Sequence, residues 1–524
     1  PPYPEPDGQL TQRSPEDFDQ DDGVRTGVRT KELALDLTTH PFAHPAADGD
    51  KFHEECGVFG IFGSSDAAAH TVLGLHALQH RGQEAAGIVT HDAGQFYSHR
   101  SLGHVGDNFN SEAVISRLPG DVALGHNRYA TTGDTVLRNV QPLFAELQTG
   151  GFAIGHNGNL TNAGTLRSEL VKRGCIFQST MDTEVIIHLI ATSSYHDLID
   201  RIIDALKSVV GAYSLVAMTE DRLIGVRDPM GVRPLLLGQL DGAPILVSES
   251  CALDIIGAEL VREVAPGEVI ICSHQGIESL MPFPPAKSRP CIFEYVYFSR
   301  PDSISQGRSI YSVRKAIGAA LAKESTVPAD VVIPVPDSGT PAAIGYAEEA
   351  GVPFELGIIR NHYVGRTFIE PSQNIRNFGV KLKHNANRAE IEGRRVVLVD
   401  DSIVRGTTSK KIVQMVRDAG ATEVHMRIAS PPTANPCYYG VDTPSREELM
   451  AANMDVATMA RQIGVDSLAF ISINGLYQAV GGVDRDGEQP QYCDACFTDE
   501  YPVSLVDLAQ GRSPAQLSLL AEHG

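Results

Sequence analysis

The pattern of apolar and polar residues divides the chain into two parts with different strand patterns. In the first part, short apolar runs typical of strands alternate with turn residues, at 57–62, 122–125 and 152–154. Stretches of helical periodicity near 67–80 and 183–193 predict two amphipathic helices. Because these strands and helices form few βαβ units, the pattern predicts an α+β layered domain over residues 56–285.

A proline-rich stretch at 281–285 marks a linker, after which the pattern changes. Runs rich in Val and Ile predict buried strands, at 331–335, 395–399 and 423–428. Helices are predicted between and after them, at 341–350 and 408–419. Continuous β-branched strands with helical crossovers indicate an α/β domain with a doubly wound sheet over 286–470. The chain beyond about 445 is predicted as helix followed by loop, with 471–524 as a C-terminal segment.

Composition narrows the class of protein. The 524 residues allow two to four domains, and 42% hydrophobic and 21% charged residues are ordinary for a globular chain. With 43 basic and 65 acidic residues, the net charge is −22, which repels phosphodiester backbones and argues against a nucleic-acid partner. No apolar run approaches the ~18 residues of a membrane span, and the first 55 residues lack a secretory signal. We therefore expect a cytoplasmic protein without a membrane partner.

Cys56 is the first candidate for chemistry. It follows a Pro-, Asp- and Glu-rich stretch, 1–55, whose lack of periodicity predicts a disordered leader. A cut between Glu55 and Cys56 would place a new α-amine, with a pKa of about 8, beside the sulfur as its base. The chain as numbered is then an inactive precursor, with 1–55 as a propeptide. The alternative is a small buried hydrophobe that opens a strand behind a permanently attached tail.

Three ordered motifs follow Cys56. They are QHRGQEAAG at 79–87, GHNRYATTG at 125–133 and GHNGNL at 155–160. Together with Cys56 they resemble the N-terminal-nucleophile glutamine amidotransferase family over residues 56–285. The resemblance implies that Cys56 attacks the glutamine carboxamide with its own α-amine as base. It also implies that the Asn157 side chain and the Gly158 amide stabilise the oxyanion.

The same resemblance assigns residues that hold free glutamine. Arg128 is expected to bind the carboxylate of glutamine, because a guanidinium can donate two parallel hydrogen bonds to it. Asp182 is expected to bind the ammonium group of glutamine. Arg81 and Tyr129 are expected nearby. Taken singly, Arg128 could be an ion-pair partner at the surface, Asp182 a helix N-cap and Tyr129 a core aromatic. The nearby histidines are interpreted as structural, namely His80, His126 and His156.

The second domain carries the motif RVVLVDDSIVRGTT at 395–408. A buried strand that ends in two acids, followed by a Gly/Thr loop at a helix start, can hold a phosphate and a ribose. The motif resembles that of type I phosphoribosyltransferases, which bind 5-phosphoribosyl-1-pyrophosphate (PRPP). The expected PRPP-binding residues are Asp337, Ser338, Gly339, Thr340, Asp400, Asp401, Ser402, Arg405, Gly406, Thr407 and Thr408. A plain helix cap at Asp400-Asp401 is the alternative.

Two further segments complete the resemblance to the transferases. The string PVPDSGT at 334–340 resembles their pyrophosphate loop, and Ser338 with Asp400 and Asp401 is expected to position Mg²⁺. The segment 360–369, followed by Glu370-Pro371, resembles the flexible loop that closes over PRPP. A surface hairpin is the alternative for that segment.

The eight cysteines are spread thinly, which favours catalysis or metal binding over disulfides. Cys493 and Cys496 form a C-x-x-C pair that could bind zinc or serve redox chemistry. With Cys291 and Cys437, the pair resembles the iron–sulfur branch of the glutamine PRPP amidotransferase family. The resemblance implies a structural 4Fe–4S cluster on these four thiolates, and zinc is the alternative. The other cysteines are expected in the core, namely Cys175, Cys251 and Cys272.

Both domains in this order resemble the glutamine PRPP amidotransferase (amidophosphoribosyltransferase) family as a whole. The implied reaction converts glutamine, PRPP and water to 5-phosphoribosylamine, glutamate and pyrophosphate, the first step of de novo purine synthesis. Homotetramers, Mg²⁺ and inhibition by purine nucleotides are also implied. The alternatives are a different glutamine amidotransferase, such as a hexosamine-forming one, and a PRPP-binding regulator without turnover.

Overall fold

The structure, a computed structural model, describes residues 56–129, 136–361 and 384–511. The predicted leader 1–55 lies outside these residues, as does the predicted flexible loop from His362 onward. In the described part of the chain, no helix is both long enough and apolar enough to cross a membrane.

The first domain consists of strands that alternate with helices. In chain order its strands are β1 (Gly57–Phe62), β2 (Ala85–Asp92), β3 (Gln95–Leu102), β4 (Val122–Arg128), β5 (Leu143–Leu147), β6 (Gly150–Leu160), β7 (Gly211–Met218), β8 (Arg222–Arg227), β9 (Leu236–Leu240), β10 (Ala243–Val247), β11 (Glu259–Glu263), β12 (Val269–Ser273) and β13 (Gly276–Leu280). Its helices are α1 (Ala67–Ala77), α2 (Val105–Asn108), α3 (Glu112–Ile115), α4 (Ala163–Lys172), α5 (Thr183–Thr192), α6 (Leu198–Lys207) and α7 (Cys251–Asp254).

These strands form two antiparallel sheets among the described residues, with the orders β11-β9-β10-β1-β4-β2-β3 and β13-β12-β8-β7-β6-β5. The sheets face each other, and Val58 and Leu124 of the first pack with Val216 and Leu223 of the second. Helices α1 and α7 cover the outer face of the first sheet, and α5 and α6 that of the second. Because β1 is covered on both faces, all its residues are apolar or glycine and buried. The predicted α+β layered fold is confirmed.

The second domain has the alternation predicted after the linker. Its strands are β14 (Ile304–Ser305), β15 (Arg308–Ser309), β16 (Val331–Pro334), β17 (Ile358–Arg360), β18 (His384–Ala386), β19 (Arg395–Asp400), β20 (Glu423–Ile428) and β21 (Ser467–Phe470). Its helices are α8 (Ile310–Ser325), α9 (Thr340–Ala350), α10 (Arg388–Ile391), α11 (Thr407–Asp418), α12 (Met450–Asn453), α13 (Val456–Ile463), α14 (Ile473–Gly481), α15 (Ala495–Thr498) and α16 (Val506–Ala509). A π-helical turn, Glu294–Phe298, precedes them.

The order β16-β19-β20-β21 forms a parallel sheet with helices on both faces, as predicted for an α/β domain. Alternate residues of β19 point to opposite cores: Val397 packs with α8, α9 and α14, and Leu398 packs with α11 and α13. The prediction of helix followed by loop beyond 445 was wrong for β21, because a strand of four residues gives too short a pattern to detect. Helix α14 of the C-terminal segment packs into the same core as α8.

Helices α8 and α9 approach each other closely enough to exclude side chains between their backbones. A Cβ at Gly318 would lie 1.8 Å from the carbonyl oxygen of Ala342, and one at Gly345 would lie 1.9 Å from that of Lys315. Backbone atoms cannot move away by a rotamer change. A larger residue at either position would therefore force the two helices apart.

Gly318→Ala is accordingly expected to destabilise the protein. Overpacking typically lowers the free energy of unfolding by ~1–3 kcal/mol, which exceeds the ~1 kcal/mol that Ala gains over Gly in helix propensity. The midpoint of thermal unfolding should fall. The matched control is Gly487→Ala, since a Cβ there meets no atom within 4 Å. Equal midpoints for the two variants would contradict the predicted contact.

Candidate active sites

Cys56 lies immediately before β1 and is buried, with 7% of its surface exposed. Its thiol is 3.8 Å from the carbonyl oxygen of Tyr129. The next residue, Gly57, is paired with Asn127 near the end of β4. The pairing of β1 with β4 therefore places the cysteine beside the segment that carries Arg128 and Tyr129.

The second sheet contacts this strand pair through β6. A Cβ at Gly155 would lie 3.5 Å from Cγ1 of Val58 and 3.6 Å from Cδ2 of His126. The imidazole Nε2 of His126 is 3.0 Å from the carbonyl oxygen of His156. These contacts bring residues 155–158 close to the β1–β4 pair, so that two motifs far apart in sequence meet.

Asn157 has an unusual environment for a carboxamide. It is fully buried, and neither Nδ2 nor Oδ1 has a hydrogen-bond partner among the residues that the structure describes. A buried polar group without a partner costs roughly 1–3 kcal/mol. Such a group is therefore expected to meet a partner that binds there, and an amide can donate to an oxyanion.

Gly158 follows it in β6 with a φ of +138°, a conformation that favours glycine. A Cβ at this position would lie 2.1 Å from the carbonyl oxygen of Ala212 in the paired strand β7. Both the positive φ and the close approach of β7 therefore require glycine at this position.

Asp182 occupies the N-cap position of α5, but its side chain does not cap the helix. The carboxylate instead accepts a hydrogen bond from the Leu160 amide at 3.0 Å and lies 3.4 Å from Nδ1 of His156. Burial by itself raises the pKa of Asp182, but the charge of His156 and the hydrogen bonds hold it below its ordinary value. A buried, ionised carboxylate here can bind a cation such as an ammonium group.

The predicted glutamine-binding arginines are both fully buried. Arg128 ends β4 beside Cys56. The guanidinium of Arg81 is engaged within the protein, with Glu249 and with Glu294, whose Oε2 lies 2.5 Å from Nη2. For Tyr129, burial and the charges of nearby carboxylates raise the pKa above its ordinary value, so its phenol stays neutral. A role of Arg81 and Tyr129 in binding glutamine remains a prediction.

In the second domain, the predicted acids lie at the carboxyl end of β19. Asp400 and Asp401 are each 2% exposed. The amide of Asp401 donates to Oδ1 of Asp400 at 2.9 Å, and the Ser402 hydroxyl donates to Oδ2 of Asp401 at 2.6 Å. Ligands of parallel α/β sheets bind at this edge.

The 334–340 segment lies against the same edge. The Val335 amide donates to the carbonyl oxygen of Val399 at 2.8 Å. A Cβ at Gly339 would lie 3.3 Å from Cα of Asp400, so the loop with Ser338 fits closely over the end of β19. At its exposed side, Asp337 is bonded to Arg360. The fold therefore brings the two predicted PRPP motifs together.

The loop 403–406 leads into the N-terminus of α11, a helix of 12 residues. Gly406 is packed against α12, since a Cβ there would lie 2.5 Å from Sδ of Met450. Arg405 forms an ion pair with Glu448 at 2.9 Å, and its backbone precedes the exposed Thr407. The first amides of such a helix can hold a phosphate.

Four cysteines line a single cavity of about 380 Å³, including its open mouth, together with aromatic and aliphatic side chains. They are Cys291, Cys437, Cys493 and Cys496. Main-chain hydrogen bonds connect their segments, from the Cys493 amide to Pro290 at 2.9 Å and from the Asn435 amide to Cys496 at 3.1 Å. Of the other three, Cys251 and Cys272 are buried and Cys175 is half-buried.

The cavity has no arrangement suited to a single ion. Within the described ranges, no three His, Cys, Asp or Glu side chains are placed to hold one metal ion. Burial raises the pKa of Cys291 to about 12, and it also raises the pKa of Cys493 and Cys496 well above the ordinary value. A bound cation would be needed to stabilise thiolates at these positions.

The fold and both sites define an enzyme that combines a glutamine amidotransferase with a phosphoribosyltransferase. Residues 126–254 match the family described as glutamine amidotransferase domain, and residues 309–439 match the phosphoribosyl transferase domain. The amidophosphoribosyltransferase of Rhizobium etli is 60% identical over 91% of this chain and 97% of its own length. That of Bacillus subtilis is 49% identical over 86% and 95%. A chloroplastic relative from Vigna aconitifolia is 53% identical over 90% and 96%.

The chain belongs to the amidophosphoribosyltransferase family. A solved structure of glutamine PRPP amidotransferase from B. subtilis, complexed with ADP and GMP, is 48% identical and matches with a TM-score of 0.81 over 86% of this chain and 98% of that chain. The family's activity is the first committed step of purine biosynthesis, in which ammonia from glutamine displaces pyrophosphate from PRPP. A hexosamine-forming enzyme and a regulator without turnover are therefore set aside.

The sequence motifs predict site residues, but they do not reveal the contacts that connect them. The sequence predicts only a structural role for His156, whose Nδ1 lies 3.4 Å from the carboxylate of Asp182 and 3.2 Å from the Thr183 hydroxyl. No motif includes Glu249 or Glu294, although both hold Arg81. Isolated glutamates carry no pattern that would reveal a partner 168 or 213 residues away.

Gly158→Ala should disrupt glutamine use selectively. The added Cβ would displace the backbone amide next to Asn157, and loss of one oxyanion donor typically lowers kcat by ~100- to 1,000-fold. Pyrophosphate release with glutamine should fall by that order, while release with ammonium salts should persist. Gly150→Ala is the control, because it also has a positive φ, in the same strand, but meets no atom within 4 Å. Equal losses in both variants would point to backbone strain alone.

Proposed function

We propose that Cys56 is the nucleophile that releases ammonia from glutamine, once cleavage after Glu55 frees its α-amine. The observation that carries this proposal is the buried Asn157 carboxamide, which has no hydrogen-bond partner in the described part of the chain and lies in the strand that contacts the β1–β4 pair. The thiol proton passes to the α-amine, and the sulfur attacks the carboxamide carbon. The protonated amine then returns the proton to the leaving nitrogen as the C–N bond breaks, and water hydrolyses the resulting thioester to glutamate. Asn157 and the Gly158 amide donate to the oxyanion that forms.

Arg128 and Asp182 bind the two charged ends of glutamine in this proposal. The guanidinium of Arg128 donates two parallel hydrogen bonds to the carboxylate. The ionised Asp182, held by Leu160 and His156, accepts the ammonium group. Arg81 and Tyr129 complete the pocket from the two loops next to Cys56. Opposite charges at the two ends fix the direction in which the carboxamide points.

The second site binds PRPP at the carboxyl end of β19. Asp400 and Asp401 contact the ribose hydroxyls, and the amides and hydroxyls of 402–408 hold the 5-phosphate. The loop 337–340 holds the pyrophosphate. Adjacent buried carboxylates with a serine hydroxyl are the oxygen donors that Mg²⁺ prefers, so Ser338, Asp400 and Asp401 fit this ion. When bound, Mg²⁺ would neutralise the leaving pyrophosphate.

Ammonia passes from the first site to the ribose C1 inside the protein. Internal transfer is chemically sensible because free ammonia is mostly protonated near neutral pH and is then not a nucleophile. A direct contact already connects the two domains near the oxyanion donors: Nδ2 of Asn159 donates to the carbonyl oxygen of Tyr438 at 2.9 Å. The segment from 360 onward would exclude water from the transferase site.

Cys56→Ala is expected to abolish pyrophosphate release with glutamine and to preserve release with ammonium salts. The physical reason is that only the amide hydrolysis needs the thiol, whereas the PRPP site is built from other residues. The assay compares the two nitrogen donors at saturating PRPP and Mg²⁺.

Cys272→Ala is the matched control, since this cysteine lies in the inter-sheet core away from the site. The N-terminus of the active enzyme, read by intact mass, should be Cys56. Loss of both activities in folded Cys56→Ala protein, or full glutamine activity with Glu55 still attached, would refute the proposal.

We also propose that the four-cysteine cavity holds a 4Fe–4S cluster with a structural role. Four thiolates from separate segments are what such a cluster requires. Zinc, which binds cysteine sulfurs at about 2.3 Å, is the alternative on the same four cysteines. When bound, the cluster would supply no redox step, because neither half of the reaction is an oxidation. It would tie Cys291 and Cys437 to the C-terminal pair.

Anaerobic purification should yield a brown protein with about four irons per chain. Cys437→Ser should lower the iron content and the visible absorbance, and it should lower the midpoint of thermal unfolding because the tie between segments is lost. Cys272→Ser should retain the iron. A colourless protein that contains stoichiometric zinc would contradict the assignment.

The remaining properties are proposed from the resemblance to the family. The B. subtilis structure contains ADP and GMP, and a second solved structure, 48% identical with a TM-score of 0.82, is titled as the allosteric regulatory enzyme of purine biosynthesis. We accordingly propose that purine nucleotides inhibit this enzyme. A homotetramer and a cytoplasmic location are proposed on the same resemblance.

A further inference from the structure

A group of buried charges lies at the boundary between the two domains. It consists of Arg81, Arg233, Glu249 and Glu294, which we call the boundary network, and each is at most 5% exposed. The Oε2 of Glu294 is 2.5 Å from Nη2 of Arg81, and its Oε1 is 3.2 Å from Nη2 of Arg233. Arg81 is also bonded to Glu249. Two cations and two anions thus share one buried space.

Glu294 is the member that comes from the other side of the linker. Arg81, Arg233 and Glu249 belong to the first domain, whereas Glu294 begins the π-helical turn that precedes α8. The Ser299 hydroxyl donates to its Oε2 at 2.8 Å. Burial alone would raise the pKa of Glu294, but the two arginines hold it below the ordinary value. The carboxylate is therefore ionised and fully engaged.

The segment 79–82, whose Arg81 is bound by Glu294, lies next to the proposed glutamine pocket on two sides. A Cβ at Gly57, the residue after Cys56, would lie 3.6 Å from Cβ of Arg81. A Cβ at Gly82 would lie 2.7 Å from the backbone nitrogen of Arg128. Displacement of Arg81 would therefore move the backbone that supports both the nucleophile and the carboxylate-binding arginine.

We propose that Glu294 is a positioning residue for glutamine use, contributed to the first site from beyond the linker. It holds the guanidinium of Arg81, and through the 79–82 loop it fixes Arg128 relative to Cys56. This inference rests on the proposed glutamine site at Cys56. It also makes the first site incomplete without the polypeptide that follows the linker.

The charge balance explains why the effect should be selective. Removing the charge of Glu294 takes an ion-pair partner from both Arg81 and Arg233, and breaking a buried ion pair is strongly unfavourable. The relaxation is expected in the loop, since Arg81 loses a bidentate partner while the β-sheets around it retain their packing. The PRPP motifs at the end of β19 are built from different residues.

The test is Glu294→Gln, which preserves shape and removes the charge. A displacement of about 1 Å in a site can lower a rate by ~100-fold. We therefore expect the KM for glutamine to rise by ~10- to 100-fold. The kcat with ammonium salts and the KM for PRPP should stay within about twofold. Glu348→Gln is the matched control, because its ion pair with Lys315 is at the surface. Glu294→Asp should recover part of the glutamine affinity.

Ser299→Ala keeps the test decisive if Glu294→Gln fails to fold. It keeps the Glu294 charge and removes only the hydroxyl that donates to this carboxylate at 2.8 Å and accepts from Nη2 of Arg81 at 3.4 Å. It should raise the KM for glutamine by a smaller factor. Unchanged glutamine kinetics in the folded variant, or equal losses with glutamine and ammonium salts, would overturn the inference. Cys56→Ala, measured alongside, separates the two proposals: if it retains glutamine turnover, the site at Cys56 is wrong whatever Glu294 does.

Discussion

The pairing of β1 with β4 is the constraint on which the glutaminase half depends. It sets Gly57 opposite Asn127 and so places Cys56 beside the end of β4 that carries Arg128. Because the pair is covered by α1 on one face and by β6 on the other, it can shift neither way without opening a core. The buried Asn157 carboxamide, held in β6, is a consequence of that same packing. Leaving this carboxamide without a hydrogen-bond partner is unfavourable, and in the proposed function the reacting glutamine provides that partner.

The transferase half depends on a different constraint, the common edge formed by the carboxyl ends of parallel strands. Strands β16 and β19 are paired in register from Val331↔Val396 to Pro334↔Val399, so the segments after them must lie side by side. That is why the 336–340 loop and the acids Asp400 and Asp401 meet. The acidic protein as a whole, with a net charge of −22, would repel PRPP. In the proposed function, local amides, hydroxyls and a Mg²⁺ ion offset that field.

The two halves are joined by polar contacts that neither could make alone. Glu294 reaches Arg81 and Arg233, and Asn159 reaches the carbonyl of Tyr438. The C-terminal segment makes a third contact with the first domain. The Asp507 carboxylate accepts hydrogen bonds from the amides of Gly164 and Thr165 at the start of α4, and the Thr161 hydroxyl donates to the carbonyl oxygen of Ser504. Two of the cavity cysteines are close in sequence to the first two contacts, since Cys291 is three residues before Glu294 and Cys437 immediately precedes Tyr438. Assembly of these segments is therefore connected to the geometry of the glutamine site.

The sequence by itself determined the chemistry: the ordered motifs around Cys56, Arg128 and Asn157, the strand that ends in Asp400-Asp401, and the fold class of both domains. These features are local, so periodicity and motif spacing reveal them. The tertiary structure alone decided the partners. In the folded protein, the carboxylate of Asp182 contacts Leu160 and His156 and does not cap its own helix. The guanidinium of Arg81 forms ion pairs with Glu249 and Glu294. The tertiary structure also added the short strand β21 to the sheet. Such contacts join residues up to 213 positions apart. They depend on how the layers pack, and neither a single glutamate nor a four-residue strand gives a local sequence pattern that predicts this packing.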